Sequence, residues 1–345
     1  MIDQFAFYYT DSYMILQGEG SFFMKHYFIV NPAAGKQNSS VSLIETIKQY
    51  SDRYDLEIHV TTAPLDATEF VRKTCAENPD VEMRFYACGG DGTLSEVVNG
   101  AVGFSNASVT CYPCGSGDDF VKYYGGRERF LDIEKLMNAK DEPIDVLAIN
   151  DKVYSINVVN FGFDTKVCKT MIKVRRKKII GGKRAYVTGV VTALITAMKN
   201  KCSVTADGEL LNPKGKILLC TLANGSYVGG SFYCAPKSIN NDGLIDVALF
   251  RPLSRFTFVK LLPVYTRGDH LDDPRFRKYF EYRRVKSVSI SAPEGFSLTV
   301  DGEILDGTDF TVSVLPKALR FAAPDDCTLI GGRSGETLFA EQQSL

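Results

Sequence analysis

Short apolar runs alternate with helical periods through the first part of the chain. His26–Val30 reads as a strand. Leu43, Ile47 and Tyr50 then recur at i, i+4 and i+7, with Ser42 and Glu45 placed as a capping box. Leu56–Val60 is the next strand, Ala67–Ala76 a helix, Met83–Cys88 a strand, Leu94–Ala101 a helix and Ser108–Tyr112 a strand. This alternation implies parallel strands joined by crossover helices. After about Asp145 strand-like runs dominate: Val146–Ile149, Val153–Asn160, Lys216–Ala223, Ile245–Phe250, Val285–Ser291, Ser297–Val300 and Phe310–Leu315. In Val285–Ala292, Val288, Ile290 and Ala292 share one parity and Ser287, Ser289 and Ser291 the other, the mark of an antiparallel strand wet on one side. Helices are expected there only at Ala185–Lys199 and around Arg255–Tyr265. The expected fold is an α/β domain with a parallel sheet over 24–145 and a mainly antiparallel β domain over 146–316. Residues 317–345 are expected to return to the first domain.

Composition narrows the function classes. A length of 345 residues suits two domains, and 45% hydrophobic with 23% charged residues is the balance of a folded globular chain. Forty basic against 41 acidic residues leave a net charge of −1. Binding of a polyanion such as nucleic acid through bulk charge is therefore disfavoured, although a local basic patch is not. The longest apolar run, Tyr186–Met198, is broken by Gly189 and falls short of the ~20 residues of a membrane span, so any membrane role is peripheral. Nine scattered cysteines read as reduced thiols and a cytoplasmic setting. Residues 1–23 carry Asp3, Asp11 and Glu19 but no Lys or Arg, unlike a secretory signal, and read as an appendage before Met24.

Three glycine-containing loops follow three of the expected strands. Gly89-Gly90-Asp91-Gly92-Thr93 stands between a strand and a helix. Its glycines allow close backbone approach, and a helix start favours phosphate. Thr93 and Glu96 suit an N-cap, and Asp91 suits Mg²⁺ or a hydroxyl rather than phosphate itself. Taken alone, a capped glycine turn explains this stretch equally well. Asn31-Pro32-Ala33-Ala34-Gly35-Lys36 follows the first strand without the spacing of a Walker A loop, and Gly115-Ser116-Gly117-Asp118-Asp119 follows the strand ending near Tyr112. In open parallel sheets ligands sit beyond the carboxyl ends of the strands, where all three loops can meet.

These motifs, in this order, resemble the diacylglycerol kinase catalytic domain, and more closely the bacterial soluble lipid kinases of the YegS/DgkB type. Asn160-Phe-Gly-Phe-Asp164, Gly229-Gly230, Pro236, Asp242-Gly-Leu-Ile-Asp246 and Asp301-Gly302-Glu303 extend the likeness across the second half. The resemblance implies an ATP- and Mg²⁺-dependent kinase acting on a lipid hydroxyl, with diacylglycerol giving phosphatidic acid as the leading case. It implies nucleotide contacts from Asn31, Pro32, Ala33, Ala34, Gly35, Thr61, Gly89, Gly90, Asp91, Gly92, Thr93, Leu94, Ser95, Ser116 and Asp119. Asp91 and Asp119 would anchor a Mg²⁺–water network, and Asp301 or Glu303 would take the hydroxyl proton, with Asp91 as an alternative. Asp242 with the carbonyls of Ile239 and Leu244 resembles a structural Mg²⁺ site, although Asp-Gly is also a common hairpin turn. Of the two Asp-Gly-Glu tripeptides, the one at Asp207 reads as a plain turn.

One position departs from the family pattern: Asp118 stands where an Asn is usual, adding a negative charge beside the expected phosphates. Arg175, Arg176, Lys177, Lys178, Lys183 and Arg184 form a basic cluster that suits peripheral contact with anionic lipid. A homodimer is compatible with the sequence. Two other functions stay open at this point: an NAD kinase-like phosphotransferase on a soluble substrate, and a non-catalytic nucleotide- or lipid-binding module.

Overall fold

The computed structural model describes residues 24–35, 39–115, 117–176 and 182–334. Residues 1–23, 36–38 and 335–345, Ser116 and the 177–181 part of the basic cluster lie outside the described residues.

The first domain follows the expected alternation. Its elements are β1 (Lys25–Val30), α1 (Ser39–Lys48), β2 (Leu56–Val60), α2 (Asp66–Glu77), β3 (Met83–Gly89), α3 (Asp91–Ala101) and β4 (Ala107–Pro113). The strands are parallel in the order β4-β3-β1-β2. That order sets the ends of β1, β3 and β4 side by side, so the three glycine loops leave the sheet as neighbours. Two expected caps shift. α1 begins three residues before Ser42, and α3 begins at Asp91 with Gly90 as its N-cap rather than Thr93. Thr93 is buried inside the first turn instead.

A short helix α4 (Ile133–Met137) leads into β5 (Lys140–Ile149), a single strand that runs through the boundary expected at 145. After β6 (Val153–Ser155) and β7 (Val158–Gly162) comes α5 (Phe163–Arg176), a helix not among the elements expected in this half. Its signal was present in Val167 and Met171, four apart and packed against the core, with Lys166, Lys169 and Lys173 interleaved. α6 (Gly182–Thr196), β8 (Ser203–Ala206), β9 (Leu219–Ala223), β10 (Ile245–Phe250), α7 (Arg255–Thr266) and β11 (Phe280–Val285) follow. The last strands are β12 (Ser287–Ser291), β13 (Ser297–Val300), β14 (Glu303–Asp306) and the long β15 (Asp309–Ala323).

One antiparallel sheet runs β11-β10-β9-β7-β13-β14. The other is continuous with the first domain, because β15 pairs with β12 in its first half and lies parallel to β4 through Arg320 and Phe321. β5 flanks β15 along its length, with a register shift between Leu315 and Leu319. The return to the first domain is thus one strand bent at a bulge, and two hydrogen-bonded strands, β5 and β15, join the two domains.

Two of the three histidines are buried. His26 is 4% exposed with its Nδ1 2.6 Å from the Tyr86 hydroxyl, and burial, aided by Arg84, lowers its pKa to about 4. Burial does the same to His270. Between pH 6.5 and 4 the unfolded chain binds protons that these folded imidazoles refuse, so stability present above pH 6.5 is lost as the pH falls. The loss is on the order of 3 kcal/mol per histidine once pH 4 is reached. Melting temperature should fall across this window and fall less in His26→Gln; equal slopes for parent and variant would remove His26 from the account.

Candidate active site

The first wall of the site is built from the three loop ends. Asn31, at the end of β1, donates from Nδ2 to Thr93 Oγ1 at 3.0 Å and accepts the Ala33 N–H at 2.9 Å, tying the first loop to the second. Thr61 closes β2 beside it, its N–H on the Val30 carbonyl at 2.9 Å. Gly90 and Gly115 bring the second and third loops into backbone contact: a Cβ at Gly115 would lie 2.7 Å from the Gly90 Cα. Leu94 N–H is already inside the helix, bonded to the Gly90 carbonyl at 3.1 Å. Leu94 and Ser95, both expected to touch nucleotide, are instead buried on the inner side of α3. The amides left at the helix start belong to Gly90, Asp91, Gly92 and Thr93.

Two carboxylates meet between these loops. Asp91 accepts the Asp119 N–H at 2.8 Å, and Asp119 in turn accepts the Gly230 N–H of the second domain at 3.0 Å. Burial, together with the Asp119 charge, pushes the Asp91 carboxyl up to about 7. Asp91, with its raised proton affinity, and Asp119, which also meets Lys122 Nζ at 2.5 Å, make a donor set that suits a divalent cation. Lys122, which the sequence did not single out, reaches the carbonyls of Gly117 and Gly230 at 2.8 and 2.9 Å and latches the third loop to the second domain. Its only sequence signal is a position three residues after Asp119. The negative charge of Asp118 is answered by Arg127, from a 3-10 turn after the loop, at 3.2 Å, and its φ of 47° is a left-handed conformation that Asp tolerates as Asn does.

The second wall is the hairpin between β13 and β14, and it separates the two carboxylates proposed as base. Asp301 and Gly302 have φ of 45° and 97°, so both turn residues are left-handed, as a two-residue hairpin requires. The Asp301 carboxylate points away from the cleft into the interior. It accepts Ser155 Oγ at 2.6 Å and the N–H groups of Val158, Ile156 and Asn157 at 2.9, 3.1 and 3.3 Å. With both oxygens buried and occupied it cannot reach a substrate hydroxyl, which corrects its expected role as base. Glu303 lies on the open side of the same turn: a methyl group at Gly92 would be 3.4 Å from its Oε1. A carboxylate of the second domain thus stands directly over the glycine loop of the first.

Asp207 forms the same turn, with φ of 44° at Asp207 and 87° at Gly208, and its carboxylate caps the amides of Lys286 and Ser287. The glutamate that follows, Glu209, faces Arg283 rather than a glycine loop.

The expected structural Mg²⁺ position does not fit as arranged. Asp242 accepts the Leu244 N–H at 3.0 Å with one oxygen and meets the Arg284 guanidinium with the other. Arg284 also approaches the buried Asp246 at 3.7 Å, so a guanidinium supplies the positive charge that this acidic corner needs. A cation held by Asp242 with Ile239 and Leu244 would first have to displace it.

A parallel sheet with three phosphate-type loops, faced across a cleft by a carboxylate from an antiparallel domain, defines a phosphotransferase. Residues 25–149 match the diacylglycerol kinase catalytic domain, and residues 157–323 match the YegS C-terminal NAD kinase beta sandwich-like domain. The chain belongs to this family of lipid kinases. It is 28% identical over 279 residues to the diacylglycerol kinase of Bacillus subtilis (strain 168), covering 80% of this chain and 88% of that one. It is 28% identical over 305 residues to a Klebsiella pneumoniae protein named "Probable lipid kinase YegS-like", covering 86% and 96%. A crystal structure of a diacylglycerol kinase from Bacillus anthracis superposes with a TM-score of 0.65 at 20% identity, over 88% of this chain and 98% of that one, which shows the shared fold. Among the described residues no helix is long and apolar enough to cross a membrane.

Proposed function

We propose that this chain transfers the γ-phosphate of ATP to the hydroxyl of a membrane lipid, with diacylglycerol as the leading acceptor and phosphatidic acid as the product. The observation that carries this reading is the Glu303 carboxylate set against Gly92 of the phosphate loop. The nucleotide phosphates would lie on the amides of Gly90 to Thr93, with the turn of Asn31 to Gly35 and the end of β2 at Thr61 beside them. Asp91 and Asp119 would hold Mg²⁺, which offsets phosphate charge as the transfer proceeds. Glu303 accepts the lipid hydroxyl proton while the hydroxyl oxygen bonds to the γ-phosphorus and the bond to the ADP oxygen breaks. Asp301 acts only by fixing the hairpin that aims Glu303. The lipid is met at the membrane surface, where the basic residues of 175–184 add attraction to anionic headgroups.

The test is transfer of labelled phosphate from ATP to a panel of diacylglycerol, phosphatidylglycerol, a sphingoid base and a prenol, with Gly92→Ala as the blocked form. The added methyl meets only the Glu303 side chain, so the variant folds, yet it occupies the space over the phosphate loop. Loss of nucleotide binding by at least about tenfold is expected, a shift of ~1.4 kcal/mol. Phosphorylation of NAD and of no lipid would replace this reading with the soluble-substrate one.

A further inference from the structure

Resting on the lipid-kinase reading, we propose that the paired outer faces of α6 and α7 form the docking surface for an anionic bilayer, with Phe256 and Ile195 inserted at the headgroup boundary. Phe256 is 81% exposed and Ile195 66%, and Val187, Val191 and Val259 are each at least half exposed. Val187, Val191 and Ile195 are spaced by four and form one stripe along α6. Arg255, at the start of α7, donates to the carbonyls of Leu194 and Ile195 in the last turn of α6 at 2.6 and 3.0 Å, which brings the end of α7 that carries Phe256 to the Ile195 end of the stripe. The opposite side of α6 is already spent on the core, with Ala193 fully buried and Gly189 against the Val167 carbonyl of α5. A helix apolar on both sides serves two apolar environments, and only one of them is inside this fold.

Charge identifies the second environment. Between Asp164 and Asp207 the sequence holds eleven basic residues and no acidic one, in a chain whose net charge is −1. α7 adds Arg255 and Lys260, again without an acidic residue. A second copy docking through the same patch would set these like charges against each other. An anionic lipid surface attracts them, and it also accepts exposed apolar side chains. The position suits the chemistry: α5 packs on α6, and Cys168 of α5 lies 3.4 Å from the carbonyl of Gly302, beside Glu303. A lipid headgroup lifted at this face is one helix away from the base.

The chain contains no tryptophan, so Phe256→Trp supplies a unique fluorophore. With phosphatidylglycerol vesicles its emission should shift to the blue and be quenched more by bromines placed near the headgroup than by bromines at the chain end. Val41→Trp, on the exposed face of α1, should show neither change. A triple variant, Phe256→Ser, Ile195→Ser and Val259→Ser, should lower vesicle partition roughly tenfold or more, since each exposed side chain loses part of its transfer gain. Its turnover of a soluble short-chain diacylglycerol should stay within about twofold, because none of the three residues lies in the cleft. Parent-like partition by the triple variant, or an unquenched Phe256→Trp on vesicles that carry the protein down, would overturn the proposal. So would a triple variant whose only change is conversion of a dimer to a monomer. Vesicle binding is read without ATP, so a chain that inserts but phosphorylates no lipid would count against the kinase reading and not against this surface.

Discussion

Glu303→Gln should lose about 10²- to 10⁴-fold in phosphoryl transfer to lipid while binding nucleotide as the parent does. Glutamine keeps the shape of the side chain and its place at the start of β14, but it cannot accept a proton from the lipid hydroxyl. The loss should fall on the chemical step, leaving the nucleotide dissociation constant within about twofold. Two readings make the outcome decisive: calorimetric titration with nucleotide, and single-turnover transfer to a dispersed lipid. A variant with parent-like transfer would take Glu303 out of the mechanism. Asp91 would then be the remaining carboxylate at the loop, its proton affinity already raised by burial and by Asp119. Asp207→Ala, at the other Asp-Gly-Glu turn, is the control and should transfer phosphate normally.

Asp301→Ala should fail in a different way, by loss of the fold. The substitution strands three backbone amides, those of Ile156, Asn157 and Val158, together with the Ser155 hydroxyl, all buried where β6 ends and β7 begins. Hydrogen bonds to a carboxylate contribute about 1.5–3 kcal/mol each, and buried donors left unpaired add their own cost. These terms are not additive, and a net destabilisation of about 3–5 kcal/mol is the expected result in denaturant titration. Asp207 accepts the amides of Lys286 and Ser287 and the Ser287 hydroxyl, all of them exposed, so Asp207→Ala should cost about 1 kcal/mol or less. Asp301→Asn keeps an acceptor for part of the set, and its activity per folded molecule separates the two roles. Parent-like activity in the folded fraction marks Asp301 as a positioning residue. A folded Asp301→Asn protein with turnover as low as that of Glu303→Gln would return it to the chemistry.

What the sequence determined by itself is what depends on neighbours in the chain. The period of apolar residues marked β1 to β4 and their helices, because burial of one face imposes its repeat locally. Glycine loops at three strand ends, and the α/β sheet that brings strand ends together, were readable for the same reason, and so was the antiparallel texture after Asp145. Element ends were less so: Gly90 rather than Thr93 caps α3, because the backbone leaves β3 directly into the helix and Thr93 is held by Asn31 from another strand. α5 was passed over because its apolar stripe is thin and its remaining positions are polar or basic, a pattern that becomes a helix only when α6 and the second sheet cover it. Tertiary structure alone decided which Asp-Gly-Glu belongs to the site. Both tripeptides make the same left-handed turn, so no local signal distinguishes them. They differ in what the fold sets opposite each carboxylate: Arg283 faces Glu209, whereas Gly92, 211 residues earlier in the chain, lies beneath Glu303. The roles within the tripeptide were decided in the same way, since the strand pleat and the turn send Asp301 towards buried amides and Glu303 towards the cleft. Pairings such as Arg127 with Asp118 and Arg284 with Asp242 were equally out of reach, because an ion pair depends on distance in space and not on spacing along the chain.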